Sequence, residues 1–413
     1  MRHIVVSKFG NEPDIFGNNL RCGMIGDWEV KKLISALSKD TENHITYYGK
    51  AIWDQNKADK CFGQGRVNFI QSNCTNDKRI QEIIPVIDEF HILLGPHAFY
   101  NGGANIPSWE SIKTSIVTER LLERVAPQIK LMNMHNNAKC YFYMSDRRFL
   151  LQAADLMNDN VTLLAQNLKR FGYNRVQLFE KDYSNYLMEY QTAEPFRFDT
   201  LWLLDKDYNN YLERQKISNI DEVLAISANQ VTSDGEIEHS RLSKILEYTD
   251  YIEDFIVCGK WTSKKAKDLI FGRTDRLQKL DGLSMVEHER FLQSCQYALV
   301  LFNTSDAPQV FIDNYLTPKY WECVYNGCLT FVEATHNKND FIPEELQVLT
   351  GKELSDKLRR CKTDIEYKNN LLALQDSLVK PEYFSGTYFN DYLTELRRQY
   401  ETTNEAVCGS SGL

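Results

Sequence analysis

This sequence predicts an α/β fold built as two parallel-sheet halves, and three observations carry that expectation. Short apolar runs alternate with helical patterns from one end of the 413-residue chain to the other. A fresh β-α-β series begins at Val223, after the polar stretch over 207–221. The last third of the chain then turns helical. Parallel strands need a long crossover, usually a helix, so strands alternating with helices pack as parallel sheets wrapped on both faces.

In chain order, residues 3–7 (HIVVS) form a short β-branched run, followed by an amphipathic helix over 28–38 and a strand over 45–48. Strands are expected at 90–94, 139–144, 161–165, 176–179 and 201–204, with a helix over 112–125. In the second half, strands at 223–226, 255–258, 297–302 and 328–332 alternate with helices over 241–251, 285–295 and 318–325. Helices at 353–362, 365–378 and 388–400 close the chain. The polar stretch 207–221 reads as the boundary. The expected domains are thus residues 1–215 and 216–383, followed by a helical C-terminal segment, 384–413.

Composition narrows the function classes. With 43% hydrophobic and 25% charged residues, the chain has material for two cores and is neither disordered nor collagen-like. No run approaches the roughly 18 apolar residues of a membrane span, so no membrane partner is expected. The N-terminus reads as a first buried strand, not a signal peptide. Ten cysteines form no CxxC and several lie in apolar runs (Cys140, Cys258, Cys295), which fits a reducing, cytosolic compartment. The formal charge of −9 counts against a nucleic-acid partner, although a basic cleft can coexist with an acidic exterior. Eight histidines with no HxH or HExxH argue against a metal site, and the lack of GxxxxGK[ST] argues against an NTPase. Asp205-Lys206-Asp207 has metal-binding DxD spacing but lies near the boundary and reads as a loop.

Three segments carry chemistry. In "DNYLTPKYWECVYNGCLTFVE", Thr317 and Pro318 suit a helix start, whose backbone N–H groups face an anion. Lys319 adds a charge for a phosphate, and Glu322 could accept two hydrogen bonds from a ribose diol. The competing reading is a capped amphipathic helix with Trp321 packed and Glu322 solvated. In "YFYMSDRRFLLQAADLM", Asp146 follows a strand's carboxyl end, where open α/β sheets place their ligands. There it could act as general base, kept ionised by Arg147 and Arg148, or it could simply cap a helix. In "FHILLGPHAFYNGGANIPSWES", a strand enters a loop with Phe99, Tyr100 and Asn101 ahead of Gly102-Gly103, which could meet a base or sugar or be only a turn.

In their order, these segments resemble the DNA β-glucosyltransferases of T-even bacteriophages. Softer matches are residues 255–260 (FIVCGK), 281–285 (DGLSM) and Arg241 opening a helix after the Val223 strand. The resemblance implies a GT-B architecture: two facing Rossmann-like domains, a cleft between them and a helical C-terminus. It implies inverting transfer of a sugar, glucose or a pentose such as arabinose, from a UDP-sugar to 5-hydroxymethylcytosine in double-stranded phage DNA. That modification would shield the DNA from nucleases in the cytoplasm of an infected host. Asp146 is then the catalytic base. Lys319 and Arg241 neutralise the departing diphosphate. Lys319 stands where the family has arginine, a point charge in place of a bidentate fork. Glu322 binds the ribose, Gly259, Leu283 and Met285 hold the uracil, and the loop from Gly17 to Asp27 approaches the sugar. The family's wedge loop corresponds to Phe99–Gly103, with Asn101 at the place of the family's aromatic and Tyr100 beside it, which leaves open the side chain that fills the gap on base flipping, while Arg147 and Arg148 line the DNA side. Mg²⁺ could assist departure of the diphosphate, as it does for the family, and the chain is expected to be a monomer. Two rivals stay open: a UDP-sugar transferase for a non-DNA acceptor, and a non-catalytic binding protein on the same fold.

Overall fold

The computed structural model describes residues 1–9, 27–49, 55–71, 77–94, 138–144, 176–178, 203, 206–214, 221–231, 241–252, 254–261, 278–280, 285–301, 318–334 and 342–381. Beyond these it describes 384, 386, 389–391, 393–395 and 397–398.

The first half is a sheet of β1 (Arg2–Phe9), β2 (Asn43–Gly49), β3 (Val67–Gln71), β4 (Glu89–Leu94), β5 (Lys139–Met144) and β6 (Val176–Leu178). Between them run α1 (Asp27–Leu37), α2 (Gln55–Phe62) and α3 (Lys78–Ile83). The strand order is β3-β2-β1-β4-β5-β6, and every pairing is parallel. Strand β1 is central because its short β-branched run is buried on both faces, with Ile4, Val5 and Val6 at 1% exposure or less.

The second half repeats that plan. Its strands are β7 (Asp221–Val231), β8 (Phe255–Trp261), β9 (Gln278–Leu280), β10 (Cys295–Val300), β11 (Leu329–Glu333) and β12 (Gln347–Val348). Its helices among the described residues are α4 (Tyr208–Arg214), α5 (Arg241–Thr249), α6 (Met285–Ser294), α7 (Pro318–Tyr325), α8 (Gly351–Thr363) and α9 (Ile365–Ser377). Read from β9, the all-parallel order is β9-β8-β7-β10-β11-β12, the doubly wound order of the first sheet. Each sheet reverses direction at one place, between β1 and β4 and between β7 and β10. Open α/β sheets bind ligands at such a reversal, outside the carboxyl ends of the strands.

Local chemistry explains the helix ends. Gly327, at φ 88°, takes the left-handed turn after α7, and the Gly327 and Cys328 amides donate back to Val324 and Cys323. Thr350 caps α8 by accepting from the Glu353 amide at 3.2 Å, while Glu353 accepts from the Leu349 amide at 2.8 Å. Gly351 sits where α8 meets α5: a Cβ there would lie 2.6 Å from the Tyr248 Cα. The β11 edge is covered only briefly by the two-residue β12. Gln375 of α9 completes it, accepting from the Thr330 amide at 2.8 Å and donating to the Cys328 carbonyl at 3.0 Å.

The chain's end returns to the first half. Phe389 and Leu393 join Ile4, Val30, Ile34 and Tyr47 in one apolar cluster. Asn390 donates to the Ala36 carbonyl at 3.0 Å, and Arg397 donates to both Glu89 carboxylate oxygens at 2.7 Å.

Three expectations are corrected. The polar stretch 207–221 contains a helix, α4, because Asp207 caps it and Tyr211 is buried with its hydroxyl donating to Asp376 at 2.6 Å. Leu203, expected in a strand, lies in a 3₁₀ turn and packs into the second core. Cys295 begins β10 and does not end α6, since the sheet ladder takes its backbone opposite Asp221. The strands β3, β9 and β12 and the helices α2 and α3 were too short or too polar to stand out. The expected strand over 161–165 and helix over 112–125 lie outside the described residues.

Candidate active site

Helix α7 ends one short turn before β11 begins, at the amino edge of the sheet. Its N-terminus therefore faces the carboxyl edge, beside the reversal between β7 and β10. Helix α5 enters β8 in the same sense, so Arg241, its first residue, also starts at the carboxyl edge. Two helix N-termini directed at one sheet edge make an anion-attracting rim.

The sequence of α7 leaves one polar face. Tyr320, Trp321 and Cys323 are fully buried, and Val324 and Tyr325 nearly so. Only Lys319 and Glu322 remain partly open among its described side chains, three residues apart and so on one face. The packed-Trp321 part of the alternative reading holds. Its solvated Glu322 does not, for that side chain is only 14% exposed and its Oε1 lies 2.6 Å from Nδ1 of His288 on α6.

Electrostatics keep this carboxylate charged. Burial pushes Glu322 toward the neutral acid, but the charge and hydrogen bond of His288 outweigh it, helped by Lys319 and Lys32, and hold it below the usual carboxylate range. Lys32 is itself buried and comes from α1 of the first half. The ionised carboxylate only accepts, so His288 carries its proton on Nδ1. Around this pair, Lys206 binds Glu289 at 2.5 Å, and Asn326 donates to the Glu322 carbonyl at 2.9 Å. Lys244, one turn into α5, is engaged by Glu333 at 2.9 Å.

Glu322 and Lys319 thus stand together on α7, and Met285 opens the helix that supplies His288. Gly259 lies toward the carboxyl end of β8, and Asp27 opens α1. Gly17, Phe99, Tyr100, Asn101, Asp146, Arg147, Arg148 and Leu283 lie outside the described residues, as do the side chains of Asp27, Arg241 and Met285. In chain order Asp146 follows the end of β5 by two residues, and Phe99 follows the end of β4 by five. His288 is the residue sequence reasoning missed. Its signal was its place one turn after Met285 in a helix already expected, and a search for metal-type histidine spacing passes over it. Among the described residues no three His, Cys, Asp or Glu side chains converge. No helix among them is long and apolar enough to cross a membrane.

No protein-family model and no curated protein matches the sequence. The fold does have solved counterparts. It is similar to a DNA-modifying β-glucosyltransferase solved with and without uridine diphosphoglucose, with a TM-score of 0.52 and 11% identity over 95% of this chain and 98% of that one. T4 phage BGT in complex with UDP and Mn²⁺ gives 0.50 and 13% identity over the whole of both chains. AviGT4, a glycosyltransferase of avilamycin A biosynthesis, gives 0.51 and 10% identity over 97% and 98%. At such identities the likeness concerns the fold, and the fold is GT-B: two Rossmann-like sheets in one chain.

Proposed function

We propose that this chain is an inverting, UDP-sugar-dependent glycosyltransferase whose acceptor is the hydroxyl of 5-hydroxymethylcytosine in DNA. The observation that carries the donor half is α7: a helix buried except for Lys319 and an ionised Glu322, its N-terminus directed at the sheet reversal. A nucleoside diphosphate asks for that combination, a cation and helix dipole for the phosphates and a carboxylate for the ribose diol. Fold counterparts crystallised with uridine diphosphoglucose or UDP support the same donor class.

In this reading the second half, residues 216–383, holds the donor, with Gly259, Leu283 and Met285 at the uracil and Gly17 and Asp27 near the sugar. The first half, 1–215, holds the acceptor, and 384–413 returns to it. The loop that carries Phe99, Tyr100 and Asn101 enters the gap left by the flipped base, and Arg147 and Arg148 meet backbone phosphates. The Asp146 carboxylate takes the proton of the hydroxymethyl group. Its oxygen attacks the anomeric carbon, the bond from that carbon to the diphosphate oxygen breaks, and UDP departs against Lys319 and Arg241. Configuration inverts because attack and departure are in line.

The test is nucleoside mass spectrometry after incubating hydroxymethylcytosine DNA with the protein and a panel of UDP-sugars. A hexose- or pentose-sized gain that disappears in Asp146→Asn is the expected result. No gain with any donor would refute the acceptor assignment, and turnover by Asp146→Asn would refute the base. The net charge of −9 favours a second reading, a non-DNA acceptor. Retention on duplex DNA that falls steeply with salt would exclude it.

A further inference from the structure

We infer that His288 is a positioning residue for donor binding: it holds the Glu322 carboxylate in the orientation that receives the ribose diol. This inference rests on the UDP-sugar reading of the site. Three features of the geometry argue for it. His288 comes from α6 and Glu322 from α7, so their contact at 2.6 Å ties two helices that enter neighbouring parts of the same sheet. The imidazole is only 5% exposed, and its ring lies 6.2 Å from that of Phe291, one turn along α6. The Glu322 side chain keeps an open edge, at 14% exposure.

A glutamate is a poor diol ligand unless held, because its three side-chain torsions must be ordered at binding. The packed imidazole supplies that order beforehand. An ionised carboxylate has about four lone-pair positions, and the Nδ1–H bond uses one, leaving enough for two sugar hydroxyls. His288 also acts on the charge state. In a site where burial favours the neutral acid, His288, Lys319 and Lys32 are the groups that keep Glu322 an acceptor, with the buried Cys323 beside it. A protonated Glu322 would offer one hydroxyl donor where the diol needs two acceptors.

The experiment is calorimetric titration of the full chain with UDP and with 2′,3′-dideoxyuridine diphosphate. The proteins compared are the unaltered chain, His288→Phe, His288→Asn and Glu322→Gln. The amide nitrogen of Asn reaches the place of Nδ1, whereas Phe keeps the ring and removes the donor. The expected result is UDP binding weakened roughly tenfold in His288→Phe, the dideoxy analogue nearly unaffected, and most of the loss restored in His288→Asn. A mere packing role would weaken both ligands equally, and that outcome overturns the inference while leaving the donor reading intact. Tighter UDP binding by His288→Phe also overturns it, since the histidine would then compete with the ligand. If Glu322→Gln binds UDP unchanged, or the unaltered chain does not bind UDP, the donor reading itself falls and takes this inference with it.

Discussion

Replacing Arg397 with methionine tests whether the returning C-terminal segment is held by a buried charge pair. Arg397 donates two hydrogen bonds of 2.7 Å to Glu89, whose side chain is 3% exposed. Breaking a buried pair by removing one partner costs about 3–5 kcal/mol, because the remaining charge is left without compensation. The lower end applies here, since Arg2 stays 3.7 Å from Glu89 and His91 Nε2 stays at 3.0 Å. A loss of about 3 kcal/mol corresponds to roughly hundredfold faster hydrogen exchange for a segment that opens as a unit. The assay is exchange measured by mass spectrometry on peptides spanning 389–398, with peptides from α8 and α9 as internal reference. In a Glu89→Gln background the same substitution should cost less than half as much, since no buried charge is orphaned. Unchanged protection of 389–398 in Arg397→Met would refute the argument, as would equal costs in the two backgrounds.

Other perturbations follow from the same side chains. Burial alone would raise the Glu89 carboxyl, but hydrogen bonds from His91 and Arg397 outweigh it and bring it to about 2 from 4.5. Its folded value is the lower one, so about 3 kcal/mol of stability is complete above pH 4.5 and lost as pH falls toward 2. His91, held neutral by burial against the pull of Glu89, adds to the loss, because the unfolded chain takes up a proton near 6.5 that the folded one refuses. Urea midpoints should therefore fall below pH 6 in the unaltered protein, and a flat profile would contradict this. Gln375→Leu strands the Thr330 amide and Cys328 carbonyl at the β11 edge, at about 1–3 kcal/mol each, and should lower the melting temperature clearly. Tyr320→Phe should be neutral or stabilising by up to about 1 kcal/mol, because the buried Tyr320 hydroxyl has no hydrogen-bond partner among the described residues. A large loss would mean that hydroxyl is satisfied.

The parts of the fold legible in the sequence are those whose burial is simple. Strand β1 reads as a strand because Ile4, Val5 and Val6 are buried on both faces, and α7 reads to the residue because Pro318 begins it and Gly327 ends it. Elements with weak patterns were not legible. Helix α4 is polar along most of its length, and its one buried anchor, Tyr211, depends on a partner, Asp376, that is 165 residues away. Strand β12 has two residues and exists because β11 needs an edge. In the site, Lys319 and Glu322 share a face by spacing alone, but spacing leaves open whether that face is solvated. Burial of the five described neighbours on α7 decides it. The contact of His288 with Glu322 joins positions on two helices separated by a strand, and no local pattern encodes it.

The charge on Glu322 links the two halves of the molecule. Burial opposes it, and among the described groups that sustain it Lys32 alone belongs to the first half. Lys32→Met should therefore raise the Glu322 pKa and move the acid limb of UDP binding toward neutral pH. The sign follows from the proposed donor site: there the ribose diol needs the carboxylate, so affinity should fall as pH drops through whatever value Glu322 has in the free protein. At pH 8 both proteins hold Glu322 ionised and should bind alike. The measurement is UDP affinity against pH from about 4 to 8, comparing midpoints of the acid limb. A loss equal at every pH would assign Lys32 a packing role, and an unmoved limb would remove it from the electrostatics of the site. If the limb moves, drawing α1 away from α7 has the same consequence as the substitution. The donor-bound state is then favoured by apposition of the halves, and by reciprocity donor binding favours that apposition.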